Sequence, residues 1–331
     1  MKRFLYTVFI MVFSMGIITG CGAQNVKDDR ISIVCTTFPQ YDWVREIIGE
    51  HEDRFDITYL LESGVDIHSY QPTAMDIAKI TDCDLLIYLG GESEEWVEEV
   101  ITQNANSDMQ VIEMMECLGD AVKPEVMVEG MQHDHVHHDG EHCDIEEHHH
   151  DEDVYDEHVW LSLRNAGVLT EHITAAIMTL DAEYASEYEI NANTYLMELE
   201  NLDAAYEEAV AQAKTDTVLF ADRFPFRYLL DDYAINYYAA FIGCSAETEA
   251  SFETVAFLAE KLDELSLQHV LILEKSDTRL ADSIIKNAES GNQDVLVLNS
   301  IQSVSKTELS KGVTYLGLMQ ENLQILKTAL N

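Results

Sequence analysis

The chain has 331 residues, 47% of them hydrophobic, and sets 62 Asp and Glu against 19 Lys and Arg, a formal net charge of −43 at pH 7. A surface so acidic repels nucleic acid and anionic ligands and draws cations, which excludes the first two as natural partners. The length suits two domains of ordinary size. The five cysteines after Cys21 (Cys35, Cys83, Cys117, Cys143 and Cys244) form no CxxC pair, so no disulfide framework is indicated.

In chain order, Lys2 and Arg3 precede the apolar run 4–18, too short to span a bilayer but suited to an export signal. It ends in Ile18-Thr19-Gly20-Cys21, an apolar residue and two small ones before a cysteine. This resembles the bacterial lipobox, whose cysteine carries a lipid and becomes the mature N-terminus; an ordinary signal peptide with a chance cysteine is the alternative. Residues 1–20 are then a signal, 21–30 a tether, and the mature protein is extracytoplasmic, held to the cell membrane by lipid on Cys21.

Two stretches follow one plan. In the first, the strand-like runs ISIVCTT, DITYLL, DLLIYL and MQVIEMM alternate with the helical patterns YDWVREIIG, PTAMDIAKI and EEWVEEVITQNA. In the second, TVLFA, INYYAAF, HVLILE and DVLVLN alternate with FRYLLDD, FETVAFLAEKLDEL and RLADSIIKNAE, and a helix near 313–330 closes the chain. Continuous apolar strands between amphipathic helices mark parallel sheets covered on both faces. Between the two stretches, Tyr188, Ala192, Tyr195, Leu199, Leu202, Tyr206, Ala209 and Ala213 recur at spacings of four and three, the stripe of a single long helix. The expected fold is α/β: two domains (31–183 and 214–331), each a mainly parallel sheet flanked by helices, joined by one long rigid helix over 184–213.

Residues 133–153, HDHVHHDGEHCDIEEHHHDED, hold eight of the 13 histidines and many carboxylates. Nothing there builds a core, so the composition predicts an exposed loop within the first domain. Imidazole is a common ligand for zinc-like ions, and clustered histidines bind them reversibly. Elsewhere histidine is sparse. His68 follows the second strand-like run and His158 follows the fourth, both beyond the carboxyl ends of strands, where open α/β sheets bind ligands. Either alone reads as an ordinary surface histidine; the pair in equivalent loops reads as two ligands.

The stretch GVDIHSYQPTAMDIAKITDCDLLIYLGGESEEW resembles the GxDPHxYEPTxxDxxxLxxADLxxxxGxxxExW signature of the cluster A-I substrate-binding proteins of zinc and manganese ABC importers. DEHVWLSLRNA resembles their DPHxWLSPxNA, and the histidine tract lies between the two as in the zinc members. The resemblance covers nearly all of the mature chain. It implies that His68 and His158 ligate the transported ion, Zn2+ ahead of Mn2+, and that a monomeric receptor, not an enzyme, hands the ion to a membrane permease and its ATPase.

The second half departs from that pattern. Where the family offers a histidine or glutamate before AFxYF, this chain reads ADRFPFRYLL, with Arg223 at the position and Asp222 beside it. Arginine stays protonated and cannot ligate. Asp222, and after it Glu274 at the end of HVLILE, are therefore the expected oxygen donors, with Gln302 as a weaker one. A metallohydrolase is the rival from another class, but no HExxH, nucleophile elbow or glycine-rich phosphate loop is present; a metal-stabilised surface adhesin is a second rival. Deletion of residues 133–150 is expected to lower the number of weakly bound ions, counted by equilibrium dialysis, and to spare the tight site.

Overall fold

A computed structural model describes residues 30–104, 106–132, 154–245, 249–302 and 304–331; the export signal, Cys21 and the histidine tract lie outside the described residues. The first sheet contains β1 (Ile31–Cys35), β2 (Phe55–Tyr59), β3 (Leu85–Tyr88) and β4 (Gln110–Glu113), in the order β2-β1-β3-β4. The second contains β5 (Thr217–Phe224), β6 (Asn236–Ile242), β7 (His269–Leu273) and β8 (Asp294–Leu298), in the order β6-β5-β7-β8. Every pairing is parallel, and both sheets have the same order, so the repeat read from hydrophobic patterning is a repeat of topology. In each, the chain leaves the first strand towards one neighbour and later returns to its other side, which opens a crevice at the carboxyl ends of the strands.

The first half carries helices α1 (Phe38–Ile48), α2 (Ala74–Asp82), α3 (Glu95–Asn104), α4 (Met114–Leu118) and α5 (Leu163–Leu180). Local chemistry sets their starts. At α1 the Thr37 N–H donates to Gln40 Oε1 at 3.1 Å, and Thr73 and Asp76 form a reciprocal capping box at α2. Pro72 stands just before that cap rather than inside the helix. Helix α5, which the sequence patterning did not resolve as an element, packs along α6 (Ala185–Ala211). The 27 residues of α6 span about 40 Å at 1.5 Å per residue. Its buried stripe is Tyr188, Ala192, Tyr195, Leu199, Leu202, Tyr206 and Ala209, as its four–three spacing requires.

The second half adds α7 (Arg227–Asp232), α8 (Phe252–Glu264), α9 (Arg279–Asn287), α10 (Lys306–Leu309) and α11 (Tyr315–Ala329). The closing helix α11 packs on its own sheet and also against α1 and α6. At its start the Tyr315 ring meets Trp43 edge-on, with centroids 5.2 Å apart. The Tyr315 hydroxyl donates to the Trp160 carbonyl at 2.6 Å, and the Trp160 indole donates to the Ser300 carbonyl at 2.8 Å. All three rings are fully buried. Each such ring contributes roughly 2–3 kcal/mol by burial and each hydrogen bond about 1 kcal/mol. Residues Ile31–Asn331 accordingly pack as one unit.

Asp42, buried in α1, accepts the Tyr315 backbone N–H at 2.7 Å. Burial pushes its carboxyl up to about 7, against the opposing pull of that N–H. The folded state therefore holds a proton between about pH 4 and pH 7 that the unfolded chain has released. Stability from this group is complete below pH 4 and is lost as pH rises through 7. Asp42→Asn, whose carbonyl still accepts from Tyr315, is expected to flatten the fall in stability across that window, measured by urea unfolding of metal-free protein.

Candidate metal centre

His68 sits in a single 3-10 turn, Ile67–Ser69, on the loop between β2 and α2. Asp66 caps the turn, its Oδ1 accepting the His68 backbone N–H at 3.0 Å. The ring's Nδ1 lies 2.7 Å from Ser93 Oγ and 3.6 Å from Glu157 Oε2. Glu157 is itself buried, and its Oε1 accepts from the Ser93 N–H at 2.8 Å. It reaches that position because residue 91 is glycine: a Cβ there would lie 2.5 Å from Glu157 Oε1, and its φ of +78° disfavours any other residue.

His158 precedes the 3-10 turn Val159–Leu161 and is fully buried. Asp156 Oδ1 accepts both its backbone N–H and its Nδ1–H, each at 2.9 Å. The Asp156 carbonyl in turn accepts the Tyr228 hydroxyl at 2.8 Å. A carboxylate on one ring nitrogen fixes the tautomer and makes the other nitrogen the donor to a metal.

With both Nδ1 atoms engaged, the two Nε2 atoms face one another at 3.3 Å. Two lone pairs at that distance repel unless a proton or a cation lies between them. Two nitrogens each about 2.0–2.1 Å from a tetrahedral zinc are themselves about 3.3 Å apart. The pair already has the edge length of a zinc site. The electrostatics fit. Burial pushes His68 well below its ordinary pKa, and neighbouring His158 pushes it the same way, which keeps it neutral and ready to ligate. Burial also works to lower His158, but Asp156 outweighs it and raises the ring on balance.

The structure does not bring the two expected carboxylates to this pair. Asp222 lies in a bulge of β5, where the register slips between Phe220 and Arg223. Its Oδ1 accepts the Arg223 N–H at 2.9 Å and its Oδ2 the Leu273 N–H at 3.0 Å. The carboxylate thus serves backbone donors at the bulge and is not grouped with the imidazoles, where the sequence expected a ligand. Glu274 is placed likewise: Oε2 takes the Ser300 N–H at 2.8 Å and Oε1 the Ser300 hydroxyl at 2.6 Å. Arg223 turns away to Asp66, 2.7 Å from Oδ2, and Gln302 donates to the same oxygen at 3.1 Å. The third donor near the histidines is one that sequence reasoning left without a role, Cys244. Its Sγ and the two imidazoles offer ligand atoms all within 4.8 Å of one another. A Gly-Cys step after a strand carries no motif, so patterning had no signal to find it.

The surroundings are anionic. Burial pushes the Cys244 thiol up, and Glu125, Glu157, Asp156 and Glu92 push it the same way. Carboxylates converging on a desolvated spot favour a dication there. A cavity of about 750 Å3 opens alongside, lined among others by Ser69, Asp66, Arg223 and Ser245.

A family model described as the periplasmic zinc-uptake complex component A, ZnuA, matches residues 33–329. The zinc-binding lipoprotein AdcA of Streptococcus pneumoniae is 29% identical over 311 residues, which cover 94% of this chain and 58% of that protein. The chain thus spans a little over half the length of the AdcA relatives it matches. The high-affinity zinc uptake system protein ZnuA of Bacillus subtilis is 29% identical over 322 residues, covering 97% of this chain and 94% of that one. Among solved structures, the metal-dependent lipoprotein YcdH from Bacillus subtilis aligns at TM-score 0.72 and 25% identity, covering 91% of this chain and 99% of that one. The Zn(II)-bound ZnuA-like domain of S. pneumoniae AdcA aligns at TM-score 0.69 and 26% identity, with the same coverage.

Because Asp222 serves backbone donors, Asp222→Asn turns an amide N–H2 towards an N–H and is expected to cost roughly 1–3 kcal/mol of stability. Its effect on zinc affinity is expected to be much smaller than that of losing His68. Paired thermal melts and zinc titrations check this; wild-type stability with lost affinity would return Asp222 to the ion.

Proposed function

The chain belongs to the zinc-uptake complex component A (ZnuA) family, and from that premise we propose that it captures Zn2+ outside the cytoplasm and delivers it to an ABC permease driven by its ATPase. The observation that carries the reading is the pair of Nε2 atoms at 3.3 Å with both Nδ1 atoms held from behind. Capture requires no bond-making on a substrate, only ligands that exchange with water. In this reading the lipobox cysteine, Cys21, tethers the receptor to the membrane where the permease lies. Among the described residues no helix is long and apolar enough to cross a membrane, in keeping with a receptor body that sits outside the bilayer.

Transport needs release as well as capture. The ion would be held by ligands from segments that the fold clamps together: Tyr59 donates to Val304 across the halves at 3.1 Å, and the Lys306 N–H to the Glu62 carbonyl at 2.8 Å. With such ties, loading and unloading work through small movements of the ligand loops rather than wide hinge closure.

His68→Ala and His158→Ala are each expected to weaken zinc binding by roughly tenfold or more, with the far-UV spectrum unchanged. Competitive titration with a chelating dye checks this. Wild-type affinity in either variant would remove the histidine pair as the capture site.

A further inference from the structure

We infer that Cys244 is the third protein ligand of the captured ion, which makes the site a two-imidazole, one-thiolate centre selective for thiophilic zinc over manganese. The inference rests on the capture reading above and specifies its chemistry. Three observations carry it.

The first is placement. Cys244 lies two residues beyond the end of β6, and its N–H points to Glu125 Oε1 at 3.3 Å. Gly243 precedes it and lies against the His158 imidazole. A Cβ on residue 243 would stand 3.2 Å from His158 Cε1 and 2.9 Å from the Phe224 carbonyl oxygen. Only glycine lets the strand end approach the ring so closely, and the next side chain then falls beside the Nε2 pair.

The second is distance. The three donor atoms lie within 4.8 Å of one another. Sulfur at about 2.3 Å and nitrogen at about 2.0–2.1 Å from a tetrahedral zinc stand about 3.5 Å apart. An ångström-scale adjustment of one side chain therefore closes all three on an ion.

The third is the fate of the alternatives. Arg223 is paired with Asp66, and both oxygens of Asp222 and of Glu274 are taken by neighbouring donors. The Cys244 thiol is free of any disulfide. Among the described residues no other second-half His, Cys, Asp or Glu forms such a group with the histidines.

The consequence is selectivity. Thiolate is a soft donor that suits zinc and suits manganese, calcium and magnesium poorly. Three protein ligands leave the fourth position of a tetrahedral ion for water. As the S–metal bond forms, the thiol proton leaves to solvent.

The test loads the full chain with one equivalent of Co2+, a spectroscopic stand-in for zinc. A sulfur-to-cobalt charge-transfer absorption in the near ultraviolet is expected. It should survive Cys143→Ser, which removes the thiol of the histidine tract, and vanish in Cys244→Ser. The same Cys244→Ser variant should lose roughly tenfold or more in zinc affinity and narrow the preference for Zn2+ over Mn2+. Tightly bound Co2+ with no such band, or a band that persists in Cys244→Ser, overturns the thiolate ligand and leaves the capture reading standing. Absence of any tight Co2+ or Zn2+ binding overturns both. Should Cys244→Ser fail to fold, alkylation of the wild-type chain with peptide mapping decides instead. Zinc is expected to protect Cys244 from iodoacetamide, and equal labelling with and without zinc overturns the proposal.

Discussion

A neutral imidazole that donates from Nδ1 keeps its one lone pair on Nε2, and that constraint organises the cleft. Asp156 holds Nδ1 of His158, and Ser93 with Glu157 holds Nδ1 of His68. Both Nε2 atoms are thereby aimed at one point. The residues that do the aiming are themselves held: Asp156 by Tyr228, Glu157 by the Ser93 N–H, and the His68 turn by Asp66. Packing fixes the two rings with their Nε2 atoms 3.3 Å apart, a spacing that a shared proton or a bound cation satisfies.

How much of this was legible in the sequence differs by layer. The eight strands could be read because buried parallel strands are continuous apolar runs between turns, and the stripe of α6 because its spacing admits only a helix. His68 and His158 stood out because histidine is scarce outside the 133–153 tract and both follow strands. Asp222 looked like a ligand for the same positional reason. What patterning could not show is the bulge at Phe220–Arg223, which leaves backbone N–H groups for that carboxylate to satisfy. The hydrogen bonds of Glu274 were hidden in a similar way, since its partner, Ser300, lies 26 residues on. Cys244 was invisible because its role comes from Gly243 letting β6 end against an imidazole 85 residues earlier in the chain.

Arg223 shows how a position can lose one role and gain another. A guanidinium beside a bound dication is unfavourable unless an acid screens it, and Asp66 does so. Burial acts to raise the Asp66 carboxyl, but Arg223 outweighs it and holds the group below the usual range, so it stays charged. Asp66 Oδ1 meanwhile caps the His68 turn, and Oδ2 also accepts from Gln302. The residue that cannot ligate thus reaches the His68 turn through one intermediary, and it ties the second half of the chain to the first beside that turn.

That tie limits how the halves can move. Trp160, two residues past His158, is fixed through its carbonyl to Tyr315 and through its indole to Ser300, while Tyr59 reaches Val304. Opening the cleft as a hinge would break these buried bonds together, each leaving an unsatisfied group at a cost of about 1–3 kcal/mol. The turn around His68 is different. It is only partly buried, contains three residues, and borders the cavity on the side lined by Ser69. Displacing it disturbs Asp66, Arg223 and Gln302 but leaves the aromatic junction intact. Of the two imidazoles, His158 is therefore the fixed one, and in the proposed capture the loop of His68 is the one that would let an ion in and out.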